Sequence, residues 1–152
     1  MNQRLCLIAF LAVISSGSFC QVTGQNTLPN GAVQLASEDI QWTDGPAALP
    51  AGSKMAVLYG DTKKAGLFAI RLKFPPNAVV KPHRHSEDEV VTIVEGNIAV
   101  GFGDQMDQGK AKTFSAKGFY VIPAKTYHFV SIGNNGATIQ INSNGPWTVE
   151  FK

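Results

Sequence analysis

From Val33 onward the chain carries short apolar runs separated at close intervals by Gly, Pro, Asn and Asp, and no stretch of it calls for a helix of any length. That rhythm restricts the fold to strands and turns. The clearest run is Leu67 to Phe74, where Phe68, Ile70, Leu72 and Phe74 share one face and Ala69, Arg71 and Lys73 the other. A period of two marks a half-buried strand. VVTIV (90–94) and FYVI (119–122) are apolar on both faces, as strands are when a core lies on one side and a second sheet or a subunit on the other. The expected strands are 54–59, 67–74, 90–94, 98–102, 119–122, 128–132, 138–141 and 148–151, with Glu95-Gly96-Asn97 supplying the turn of a hairpin. A chain of 152 residues closes around one core. The expected fold is therefore all-β, a single barrel or sandwich.

The N-terminus is different in kind. Arg4 is the only charge before the apolar run Leu5 to Ile14, after which small and polar residues return. This is the layout of a secretory signal peptide. Ten residues fall short of the roughly 20 that span a bilayer, and no stop-transfer block follows, so no stable membrane span is expected. Ser18-Phe19-Cys20 and Val22-Thr23-Gly24 both end in a small residue and place cleavage between 18 and 24. Lipidation of Cys20 is the lesser alternative, because Phe19 is bulky where a small residue is wanted. The expected organisation is a signal peptide over 1–24, a polar linker over 25–32 and a β-barrel domain over 33–152. Its expected location is the periplasm or the medium.

Cys6 and Cys20 both lie in or beside the export segment, so disulfides and thiolate ligands are not expected in the folded part. Removing residues 1–24 takes away Arg4 and no acid, leaving 12 basic against 11 acidic residues. Such balance argues against a nucleic-acid partner.

Chemistry concentrates in two segments. In KPHRHSEDEVVTIVEGNIAV, His83 and His85 are spaced to share one face of a strand, and Glu89 follows at the entry to the next. In IPAKTYHF, His128 opens a later strand after a turn centred on Pro123. The chain has three histidines and all of them fall here. One reading is convergence of the four side chains on a metal ion. The other is a solvated charge cluster at His83 and His85 beside Ser86–Glu89, with His128 an ordinary core histidine.

These segments resemble the paired motifs of the cupin superfamily, G-x5-H-x-H-x3,4-E-x6-G followed by G-x5-P-x-G-x2-H-x3-N. His83, His85, Glu89 and Gly96 match in order and spacing, as do Pro123 and His128. Asn77, Lys117 and Lys125 stand at glycines of the motif, and Ile132 at its final asparagine. Asn77 is the mild change, since Asn tolerates a left-handed backbone, whereas Lys125 puts its turn in question. The resemblance implies a cupin barrel (a jelly roll, or double-stranded β-helix) over roughly 33–151, with His83, His85, Glu89 and His128 as metal ligands. Three imidazoles and a carboxylate suit one divalent transition ion, Mn, Fe or Zn first, then Ni or Cu, rather than Ca or Mg.

Strand parity offers Phe74, Phe102, Tyr120, Tyr127 and Phe129 as candidate cavity walls, and Tyr59, Arg71, Gln140 and Asn142 as candidate polar contacts. Glu87 and Asp88 are expected in water, either being a substitute for Glu89 if the register slips. The resemblance implies a metal-dependent enzyme on a small molecule, by dioxygenation, isomerisation or decarboxylation, or else a non-catalytic metal- or ligand-binding module. A metal-free sugar epimerase would have no use for Glu89 beside two histidines. A homodimer paired through sheet edges is a further expectation, with Leu28 to Trp42 as alternative cover for those edges.

Overall fold

A computed structural model describes residues 31–152, so the expected signal peptide and nearly all of the expected linker lie outside the described residues. Nine strands form one curled antiparallel sheet: β1 (Thr43–Asp44), β2 (Lys54–Tyr59), β3 (Gly66–Phe74), β4 (Val79–His85), β5 (Glu89–Phe102), β6 (Lys112–Ser115), β7 (Phe119–Ile122), β8 (His128–Gly145) and β9 (Val149–Phe151). Two single 3-10 turns, Ser37–Asp39 and Gln108–Lys110, are the described helical pieces. The first half of β8 pairs with β4 and with the second half of β5; its second half pairs with β3 and with the first half of β5. β2 extends the sheet beyond β3, β9 extends it beyond β4, and β6 and β7 line the far edge of β5. Two long strands that change partners halfway curl the sheet on itself, which is how a jelly roll closes.

β5 runs unbroken through Glu95-Gly96-Asn97, and this corrects the expected hairpin. What turns is the strand itself. Gly96 has φ 76° and lies where an added Cβ would collide with the Gly136 carbonyl oxygen, so the corner of β5 presses against the corner of β8. A residue without Cβ serves both needs, a left-handed backbone and close approach. The expected strands 128–132 and 138–141 are likewise two halves of β8.

The face of β3 that carries Phe68, Ile70, Leu72 and Phe74 is the core face, each side chain no more than 7% exposed. Val91, Ile93, Ile98 and Val100 of β5 and Ile139 and Ile141 of β8 meet it. Each such side chain contributes about 1.5–3 kcal/mol by leaving water. Outside that core, Phe129 packs its ring against Gly101 of the neighbouring strand, where any Cβ would strike the ring.

Asn77, Lys117 and Lys125 have φ of 59°, 74° and 62°, and are the described non-glycine residues in the left-handed region. The turns expected of glycine keep their shape without it. The neighbouring hydrogen bonds impose the conformation: Lys117 N donates to Ile93 O at 2.8 Å and Lys125 N to His85 O at 2.7 Å. Left-handed backbone costs a side-chain-bearing residue about 1–2 kcal/mol, of which glycine's extra unfolded freedom takes back about 0.5–1. Lys125→Gly is therefore expected to gain up to about 1 kcal/mol in urea unfolding, whereas Gly96→Ala loses more than about 2. A neutral Gly96→Ala would contradict the described corner.

Candidate metal centre

The register of β4 against β8 sets His83 opposite His128, and the spacing of two along β4 brings His85 to the same side. Glu89 is the first residue of β5 and turns inward beside them. Their exposures are 6% for His83, 6% for His85, 5% for Glu89 and 1% for His128, which removes the solvated-cluster reading. The imidazole centroids are 4.1 Å apart for His83 and His128, 4.9 Å for His83 and His85, and 5.4 Å for His85 and His128. Glu89 places Oε2 3.3 Å from His128 Nε2 and Oε1 3.8 Å from His85 Nε2.

Each imidazole is oriented through its other nitrogen. His83 Nδ1 donates to Lys81 O at 2.8 Å, His85 Nδ1 to Thr148 O at 3.2 Å and His128 Nδ1 to Thr126 O at 3.1 Å. A carbonyl only accepts, so the proton sits on Nδ1 and the Nε2 lone pair is left free in all three rings. Nε2 of His85 and of His128 are buried with no hydrogen-bond partner among the described residues. Buried acceptors of this kind need a partner. The three histidines each offer a ligand nitrogen within 4.8 Å of the others, a spacing that can hold a metal ion, and free imidazole lone pairs are what such an ion requires. The donor set fits a divalent transition ion.

The electrostatics favour the ligand forms. Burial, seconded by the His128 ring, pushes the His83 imidazole down to about 4. Burial also lowers His85, against the pull of Glu89. For Glu89 burial acts upward, but the adjoining rings of His128, His85 and His83 together outweigh it and hold the carboxyl below its ordinary value.

The segment before Glu89 is clamped. Asp88 Oδ1 accepts from Ala124 N at 2.8 Å, and Asp88 O accepts from Ser143 Oγ at 2.6 Å. Glu87 and Asp88 are exposed, and this clamp fixes the register that turns Glu89, not them, inward.

A cavity of about 100 Å³ adjoins the four side chains. Phe74 and Tyr120 line it as expected. Phe102 is 58% exposed, and Tyr127 lies on the surface under Arg84, donating its hydroxyl to Glu150. Phe129 lies on the opposite face of β8 from His128 and Val130. Arg71, Gln140 and Asn142 form a hydrogen-bonded ladder that alternates with the core residues Ile70, Ile139 and Ile141, so it faces outward; Tyr59 is half exposed. None of these seven lines the cavity. Missed instead were Trp147, stacked on His85 at 4.0 Å and 10°, and Phe151, stacked on His83 at 5.3 Å and 28°. The pairing of β9 along β4 places Phe151, the bonds of Trp147 N to Thr62 O and of Thr148 N to Ser86 Oγ place Trp147, and no local spacing announces either. Burial and the charge of Glu89 raise the Tyr120 phenol well above its ordinary value, so it stays protonated.

Solved structures agree on the class. An RmlC-like cupin from Shewanella frigidimarina NCIMB 400 superposes with a TM-score of 0.57 at 20% identity, covering 72% of this chain and 87% of that one. The polyketide cyclase RemF from Streptomyces resistomycificus gives 0.62 at 16% identity, covering 78% and 85%. The fold is a cupin jelly roll. Residues 23–150 match the family described as Domain of unknown function (DUF4437), and the chain belongs to that family. The Rhicadhesin receptor of Pisum sativum is 28% identical over 160 residues, spanning 98% of this chain and 70% of that protein.

A histidine at about 4 when folded and 6.5 when unfolded leaves the unfolded chain with the extra proton between those values. Stability of the metal-free protein is then full above about pH 6.5 and falls with pH down to about 4, by about 3 kcal/mol from His83 alone. Glu89, held low, acts in the same direction at the acid end. Urea midpoints of chelated protein between pH 7 and 4 are expected to follow this slope, and His83→Gln to flatten it. A flat wild-type profile would show that burial does not control the ring.

Proposed function

We propose that this chain is an exported, metal-dependent cupin enzyme acting on a small molecule, with His83, His85, Glu89 and His128 holding one divalent transition ion, Mn, Fe or Zn before Ni or Cu. The observation that carries the reading is the cavity that opens against those four buried side chains. A site that only sequesters an ion has no need of space beside its ligands, whereas an enzyme or a ligand-binding module does, and Tyr127 and Phe129, whose intrusion would have favoured sequestration, lie outside the cavity. A bound divalent ion supplies Lewis-acid polarisation of an oxygen, or activation of a bound small molecule. Around it the chain's own groups have defined tasks. The three carbonyls at Nδ1 keep the rings in one tautomer. Trp147 and Phe151 keep water from their faces. Tyr120, held protonated beside Glu89, is the one hydroxyl placed to hold or lend a proton at a substrate oxygen.

Export rests on the pattern of residues 1–24 and on the confinement of both cysteines to them. Among the described residues no helix is long and apolar enough to cross a membrane. Domain limits of 1–24, 25–32 and 33–152 and a homodimer through open sheet edges belong to the same reading.

Elemental analysis of protein recovered from its own cell envelope or medium is expected to find about one transition-metal ion per chain. In His83→Ala and Glu89→Ala proteins of unchanged circular dichroism, affinity for that ion should drop at least about 100-fold. Equal metal content in wild type and His83→Ala would overturn the assignment. N-terminal sequencing of the recovered protein should begin just after a residue in the 18–24 region, with no palmitate label on Cys20; an intact Met1 would refute export by cleavage.

A further inference from the structure

The wall of the cavity defines what fits beside the ion. Ile70, Leu72 and Phe74 of β3 form one side, with Val80, Val130, Ile139 and Ile141 continuing it. Trp147 and Phe151 lie flat on the ligand rings, and Val149 stands between them on β9. The mouth is apolar as well. Met55 comes from β2, and Pro46, Ala48 and Leu49 from the β1–β2 loop. That loop is braced by its own bonds, Gly45 N to Ser53 O at 2.9 Å and Leu49 N to Pro46 O at 2.9 Å. Apart from the four ligands, Tyr120 is the single side chain with a hydroxyl or charge on this wall, and Trp147 adds one donor, a buried Nε1–H without a hydrogen-bond partner among the described residues; no Lys, Arg, Ser, Thr, Asn, Gln or Asp contributes to it.

Two consequences follow. A divalent ion with Glu89 ionised leaves one net positive charge, which a single anionic or strongly polarised oxygen balances. A second carboxylate would be buried with no cation to meet it. Each hydroxyl that reaches neither Tyr120 nor the Trp147 Nε1–H would lose water without gaining a partner, at about tenfold or more in affinity.

Resting on the metal reading above, we propose that the site takes compact apolar molecules carrying one oxygen headgroup, such as an aryl or alicyclic monocarboxylate, and rejects polyols and dicarboxylates. The headgroup goes to the ion and Tyr120, and the hydrocarbon body lies between Trp147, Phe151 and the β3 wall.

The test uses the full chain loaded with Co(II), read by its visible d–d absorption. Benzoate, cyclohexanecarboxylate, succinate and gluconate share one headgroup and differ in the body, so the titrations compare walls alone. Benzoate and cyclohexanecarboxylate are expected to shift the band at concentrations at least about 30-fold below succinate or gluconate. Leu49→Arg, a half-buried loop position, gives a buried second carboxylate a partner and is expected to bring succinate within about threefold of benzoate. If Co(II) is taken up in a manner lost in His83→Ala, yet gluconate or succinate binds as well as benzoate, or none of the four binds, the apolar-substrate inference is overturned while the metal site stands. If Co(II) is not taken up at all, the metal reading fails and this inference with it.

Discussion

The pairing of β4 with β8 that sets His83 opposite His128 is the constraint on which the rest of the site depends. β4 is held on both edges, by β8 on one and by β9 on the other, where Phe151 faces His83 and Val149 faces His85. A strand fixed on two sides cannot slip by one residue without turning every side chain to the opposite face. Such a slip would send both histidines of β4 outward at once. The irregularity between Val80 and His83 adjusts the phase, so that a core valine and two ligand-type histidines all point inward along one short strand. The same strand contacts supply the Lys81 and Thr148 carbonyls that hold the rings, so register fixes both position and tautomer.

This arrangement is a poor way to stabilise a barrel. Three imidazoles and a carboxylate occupy space that aliphatic side chains fill elsewhere in the core, and well-packed apolar substitutes for buried ionic groups are often neutral or stabilising. The interior discourages a proton on His83 and His85 while keeping Glu89 ionised. A cation other than a proton is the partner that answers all of these preferences together. Local conflict of this kind in an otherwise consistent sequence is where function is expected to sit.

The legible part of the sequence was periodic or discrete. Alternation in 67–74 gave the core face of β3, and the His-x-His spacing put two rings on one side of β4. What local pattern could not carry was contact between distant segments. Glu95-Gly96-Asn97 has the composition of a hairpin, and only the Gly136 carbonyl pressing on Gly96 makes it a corner. Lys125 looks wrong for a left-handed turn, yet the bond from its amide to His85 O holds the turn in shape. Parity told which residues share a face, but Arg71, Gln140 and Asn142 were expected inside for their chemistry although they alternate with core isoleucines. Trp147 and Phe151 were missed because they reach the histidines only through β9 and the bonds that hold the segment leading into it.

Motif and wall therefore carry separate information. His83, His85, Glu89 and His128 follow a spacing that any barrel of this class can use, and they say what the site can hold. The β3 face, the β1–β2 loop and β9 have no motif, and their side chains decide what can lie beside it. Here the wall is made largely of the same residues that form the hydrophobic core, so specificity and stability are written in one set of positions. Changing Ile70, Leu72 or Phe74 to admit a polar substrate would open the core as well, at about 2–5 kcal/mol for each truncation to alanine. The loop at 46–49 is the part of the wall where that coupling is weakest, because Pro46 and Ala48 are exposed and Leu49, which packs on the core from outside, is only half-buried. Within this fold, a change of substrate with the ligands retained is most accessible at Leu49 and its neighbours, where a polar side chain alters the cavity at the cost of one half-buried contact and leaves the fully buried side chains of β3 and β8 in place.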